Sequence, residues 1–151
     1  QLAHRLHPAT LDHGGLQLNL EQLVEEAAML HGIRVHLETR LPMDSVGGEA
    51  SLGLYRIAQE ALRNVAKHAG VREAWLTAYR ERGRIVLTIR DAGQGFDAET
   101  IHTAGLEQPR GLGLHTLRER ARQLGGTAGF TSAEGRGTTV TVSVPWRERT
   151  P

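Results

Sequence analysis

From residue 51 to residue 95 the chain reads SLGLYRIAQEALRNVAKHAGVREAWLTAYRERGRIVLTIRDAGQG. Its first part, 51–69, sets Leu54, Ala58, Ala61, Leu62, Val65 and Ala69 on one apolar face at helical spacing. Ser51 stands in the N-cap position and Gly70 closes the helix. Residues 73–79 and 84–90 then read as two strands around Arg80-Glu81-Arg82-Gly83, a hairpin signal. Working outward, 16–30 predicts a helix with Leu20, Leu23, Val24, Ala27, Ala28 and Leu30 turned inward, stopped by Gly32. Residues 33–39 alternate as a strand, 42–48 form a loop, and 2–11 hold a short helical stretch ending before Pro8. Downstream come a turn at 91–95, a polar and weakly periodic segment at 96–110, and a helix at 112–124 stopped by Gly125-Gly126. Strands at 127–131 and 138–144 complete the chain before Pro145. Strands occur in pairs between helices and do not alternate strictly with them. This order predicts an α/β two-layer sandwich: a mixed, mostly antiparallel sheet with helices packed on one face.

The length of 151 residues suits one domain with a short remnant of a neighbour. Cysteine is absent, which excludes disulfides, thiolate metal sites and Cys nucleophiles. The formal charge of +1 advertises neither nucleic acid nor an anionic membrane. No apolar run approaches the roughly 18–20 residues of a membrane span, and no signal peptide opens the chain. The chain starts at Gln1, and a fragment is the expectation. Glycine is in excess, 18 residues of 151, in short clusters beside periodic segments. Such clusters suggest tight turns or backbone held close to a ligand.

Four groups of residues can carry chemistry. Glu60, Asn64, Lys67 and His68 fall at i, i+4, i+7 and i+8 of the long helix, one stripe beside its apolar face. A carboxamide oxygen suits a hard cation such as Mg²⁺, and an ammonium suits a phosphate. A solvated helix face is the competing reading. Asp91-Ala92-Gly93-Gln94-Gly95 leaves a strand, where the carboxylate can accept from an exocyclic amine and the glycines can admit a flat ring. A plain strand-exit turn has the same composition. Arg110-Gly111-Leu112-Gly113-Leu114 opens a helix whose first amides lack internal partners and favour anions, or is an ordinary glycine-rich entry. Gly135-Arg136-Gly137-Thr138-Thr139 is most simply a hairpin turn, with the Thr138 hydroxyl able to reach a ligand. There is no P-loop sequence, no early dinucleotide fingerprint and no His-Glu-x-x-His pair. His4 and His7 lack further ligands for a metal.

Each motif is weak alone, but Glu60-x-x-x-Asn64, Asp91-x-Gly93-x-Gly95, Gly111-x-Gly113-Leu114 and Gly137-Thr138 stand in the order found in the Bergerat-type ATP-binding fold. The chain resembles the catalytic and ATP-binding domain of bacterial sensor histidine kinases, in their nitrate-sensor (NarX-like) branch. The segments YRIAQEALRNVAKHA (55–69) and GLGLHTLRERA (111–121) carry the likeness, with Leu124-Gly125-Gly126 and SAEGRGT (132–138) after them. It is strong over 52–145 and weaker upstream, where His7 stands in place of the family's usual Arg.

The resemblance implies that residues 1–16 are the end of a dimerisation helix and its linker, 17–146 the catalytic domain and 147–151 a tail. It implies ATP and Mg²⁺ as cofactors. Asp91 would accept from the adenine amine, with Gly93 at the turn and Gly95 and Thr138 lining the base. Asn64 would hold the metal, with Glu60 nearby. Lys67 and His68 would face the phosphates or ribose. Gly111, Gly113 and Leu114 would offer backbone donors to the phosphate chain. Residues 96–110 would be an ATP lid, mobile when empty, ending in Arg110 as a γ-phosphate contact.

The implied reaction is phosphoryl transfer to a histidine on a dimerisation domain, for relay to the receiver domain of a LuxR-type response regulator. No His-Asp or His-Glu acceptor motif occurs in this chain. The whole protein would be a homodimer and this part cytoplasmic, alone or as the inner portion of a membrane-bound sensor. A Bergerat-fold ATPase clamp, an anti-sigma serine kinase and a non-catalytic ATP-binding module are the competing functions.

Overall fold

The structure, a computed structural model, describes residues 15–41, 48–95 and 114–146. Helix α1 (Gly15–His31) is followed by strand β1 (Arg34–Arg40), helix α2 (Gly48–Asn64) and one π-helical turn (Val65–Ala69). Strands β2 (Glu73–Glu81) and β3 (Arg84–Asp91), helix α3 (Leu114–Gln123) and strands β4 (Thr127–Ala133) and β5 (Gly137–Pro145) complete it. The strands form one five-stranded sheet in the order β1-β2-β3-β5-β4. Only β1 and β2 are parallel; the other three pairs are antiparallel. The expected mixed, mostly antiparallel two-layer sandwich is what forms.

The register explains the layering. Leu37, Leu76, Ile89, Val140 and Phe130 stand in one row across all five strands, and Thr39, Ala78, Leu87, Val142 and Ala128 in the next. Period-two alternation sends these side chains to a single face. On that face Leu76, Leu87 and Val142 are fully buried, together with Leu16, Leu20, Leu54, Ile57 and Ala58 of the helices. Each of the leucine, isoleucine and valine side chains among them contributes roughly 1.5–3 kcal/mol on burial. The opposite face carries His36, Trp75 and Arg90 in one row. There the His36 and Trp75 rings stack at 5.4 Å, and the Arg90 guanidinium lies 4.2 Å from the Trp75 ring centre.

Four local expectations change. Ala28 and Leu30, expected inward on α1, are exposed because they lie off its buried stripe of Leu16, Leu20, Leu23 and Ala27. Ser51 is not an N-cap: α2 starts earlier, at Gly48, and Ser51 is fully buried. Its hydroxyl accepts from Asn19 Nδ2 at 3.0 Å, so it bridges α1 and α2. The helix expected over 51–69 keeps α-helical winding only to Asn64 and then widens into the π turn, which ends at Gly70 with a left-handed φ of 76°. The β2–β3 turn is tighter than the four residues suggested. Arg82 (φ 51°) and Gly83 (φ 75°) alone make it, both left-handed, which matches the twist of the flanking strands. The segments at 1–14, 42–47, 96–113 and 147–151 lie outside the described residues.

Candidate functional site

The helix-facing side of the sheet turns polar at one end. The last row there is Val35, Ala74, Asp91, Thr138 and Ser132. Asp91 is 6% exposed, and its Oδ1 accepts the Gly93 amide at 2.8 Å. Among the described residues Oδ2 takes no hydrogen bond. Oδ2 is not among the buried atoms left without a partner, so it is reached from outside the protein. It therefore suits a ligand donor such as an aromatic amine. Thr138 lies directly across the ladder from Asp91. Ser132 Oγ donates to the Gly137 carbonyl at 3.0 Å and lies 2.9 Å from Thr138 Oγ1, which fixes the threonine hydroxyl in the same row.

Three chain segments close against one another beside this row. The Ala69 carbonyl, at the end of the π turn, accepts the Gln94 amide at 2.9 Å, and the Gln94 carbonyl accepts the Gly135 amide at 2.7 Å. The glycines make this closure possible. A β-carbon on Gly93 would stand 2.2 Å from the Ala69 oxygen, and one on Gly95 2.2 Å from the Ala133 oxygen. On Gly137 it would stand 2.1 Å from the Asp91 oxygen. The sequence reading gives Gly93 and Gly95 to an approaching flat ring. The space beside them that a side chain would take is filled by the protein's own carbonyls.

The metal and phosphate side rests on α2 and the π turn. Asn64 is the last α-helical residue, half-buried, while Lys67 and His68 are exposed on the turn. The i→i+5 winding of that turn breaks the stripe expected of a continuous α-helix, setting Lys67 and His68 at a different angle from Glu60 and Asn64. Glu60 Oε1 pairs with Arg63 at 3.0 Å. Among the described residues no three His, Asp or Glu side chains group as a metal site. The Asn64 carboxamide carries a neutral oxygen, a donor type that suits Mg²⁺ sharing its coordination with phosphate and water.

Leu114 opens α3 and is buried, and its amide is one of the helix's first, without an intrahelical acceptor. Arg110, Gly111, Gly113 and the expected lid at 96–110 lie outside the described residues. Two site residues were not read from the sequence. Ser132 was legible in principle, because a three-residue hairpin loop at 134–136 places it opposite Thr138. Gln94 carried no signal, since its role depends on a fold contact with the π turn.

Comparison with known proteins agrees with this fold. Residues 49–148 match the family model described as histidine kinase-, DNA gyrase B-, and HSP90-like ATPase. The sensor histidine kinase MctS of Rhizobium johnstonii is 36% identical over 96% of this chain and 31% of its own length. The signal transduction histidine-protein kinase/phosphatase UhpB of Salmonella typhimurium is 34% identical over 97% of this chain and 28% of its own. The chain thus spans about a third of the curated relatives it matches. Among solved structures, full-length ShkA in complex with AMPPNP superposes with a TM-score of 0.72 at 20% identity, over 90% of this chain and 31% of that one. The histidine kinase domain of the Erythrobacter litoralis EL346 blue-light activated kinase gives 0.65 at 18%, over 87% of this chain and 61% of that one. Among the described residues no helix is long and apolar enough to cross a membrane.

Proposed function

The chain belongs to the histidine kinase-, DNA gyrase B- and HSP90-like ATPases, and from that footing we propose that it is the ATP-binding catalytic domain of a two-component sensor histidine kinase. It would pass the γ-phosphoryl group of ATP to a histidine on a dimerisation domain, for relay to the receiver domain of a LuxR-type response regulator. In this reading residues 17–146 are the catalytic domain, 1–16 the end of the dimerisation helix and its linker, and 147–151 a tail. The whole protein is a homodimer and this part of it is cytoplasmic.

The observation that carries the proposal is the polar end row, with Asp91 buried and one carboxylate oxygen uncommitted among the described residues. The Asp91 carboxylate binds the adenine amine, and Thr138, oriented by Ser132, completes the base edge. Lys67 and His68 neutralise and orient the phosphates, and Asn64 offers its oxygen to the metal. Mg²⁺, when bound, neutralises charge on the phosphoryl oxygens. Catalysis of this kind is mostly positioning and charge compensation, so the chain's own part is to hold donors and a cation around a fixed triphosphate. Glu60, held by Arg63, lies one helical turn from Asn64.

The test is calorimetric titration with ATP, with and without Mg²⁺, followed by transfer of γ-labelled phosphate to a supplied dimerisation domain. Mg²⁺-dependent binding and label on the added histidine are expected, with none retained stably on this chain. Steady phosphate release without transfer replaces the kinase by an ATPase clamp in which Glu60 serves as base.

A further inference from the structure

Gln94 joins three segments. Its amide donates to the Ala69 carbonyl at 2.9 Å, its side-chain Nε2 to the His68 carbonyl at 2.5 Å, and its own carbonyl accepts the Gly135 amide at 2.7 Å. His68 and Ala69 are the last residues of the π turn, and their carbonyls lack partners within it. Gln94 therefore caps this turn from another part of the chain. Two residues of the capped turn, Lys67 and His68, are those placed at the phosphates, while Gly135 leads into the hairpin that carries Ser132 and Thr138.

We infer that Gln94 is a positioning residue: its side-chain amide fixes the π turn so that Lys67 and His68 meet the triphosphate in register with a base held at Asp91. This rests on the nucleotide reading above. Gln94 itself touches no reacting atom. Its backbone bonds keep the segments together, and its Nε2 sets the angle of the turn. The side chain thus governs the part of the affinity that depends on phosphate, and not the part that depends on the base.

The test compares MgATP and adenosine, the latter by competition, on the parent chain, Gln94→Met and Gln94→Glu. Methionine keeps the length of the side chain and removes the donor. Glutamate keeps the shape and turns a carboxylate oxygen toward the His68 carbonyl. We expect Gln94→Met to weaken MgATP about threefold to tenfold, the scale of one neutral hydrogen bond, with adenosine within about twofold of the parent. Gln94→Glu should lose more at neutral pH and recover relative to the parent as its carboxyl protonates and regains a donor. Parent-like MgATP affinity in both variants overturns the inference, as does parallel loss of MgATP and adenosine. A parent chain that binds no MgATP overturns the nucleotide reading, and this inference with it.

Discussion

Gly93 lies so close to Ala69 that a β-carbon on the glycine would stand 2.2 Å from the alanine's carbonyl oxygen. The obstruction is backbone, so it cannot rotate away. Gly93→Ala should therefore cost about 2–3 kcal/mol, the upper part of the usual overpacking range, and should also weaken ATP binding. Gly129→Ala in β4 is the control. A β-carbon there meets nothing within 4 Å, and its stability should stay within about 0.5 kcal/mol of the parent. Urea midpoints of the two variants check this.

Asp91→Asn tests the base side. The new carboxamide oxygen can still accept the Gly93 amide, which leaves its NH₂ facing the ligand. A donor then opposes a donor. The loss of a charge-assisted bond, roughly 1.5–3 kcal/mol, predicts a 10–100-fold fall in ATP affinity with the fold retained. Unchanged affinity by calorimetry would remove Asp91 from the base site.

Asn64→Ala tests the cation side. Asn64 closes α2, and alanine is a strong helix former, so circular dichroism should be unaltered. The gain in ATP affinity on adding Mg²⁺ should shrink several-fold. Equal Mg²⁺ dependence in variant and parent rules out the metal role.

Acid titration has a definite sign on α3. A hydrogen bond from the Arg122 guanidinium holds the Glu119 carboxyl below its ordinary value of 4.5. A lowered carboxyl stabilises the fold above the unfolded value, and that contribution is lost as pH falls through the folded value. Glu119→Gln should therefore lie slightly below the parent in stability at neutral pH and converge on it in acid. The pair is exposed, so added salt should also narrow the gap.

Much of the fold was legible because binary patterning acts locally. The alternation Ile85, Leu87, Ile89 and Val140, Val142, Val144 assigned strands and their inner faces directly. The errors fell where tertiary contact overrules local preference. Ser51 has cap chemistry, yet Asn19 claims its hydroxyl across 32 residues. The winding after Asn64 changes within a sequence that reads as one continuous helix; Gly70 marks its end, but nothing local marks the widening before it. At the site, Asp91 and Thr138 were legible as motif residues. The carbonyls that fill the space beside Gly93 and Gly95 belong to distant segments and leave no trace in the local pattern.

The tight bend at Arg82 and Gly83 joins the ends of β2 and β3 remote from Asp91, with the whole length of β3 between them. In the proposed function the nucleotide sits at one end of β3 and this bend lies at the other. A fluorophore, spin label or short affinity tag grafted at that bend would ride on the sheet without meeting the nucleotide, giving an observer's handle on docking and release that leaves the chemistry undisturbed.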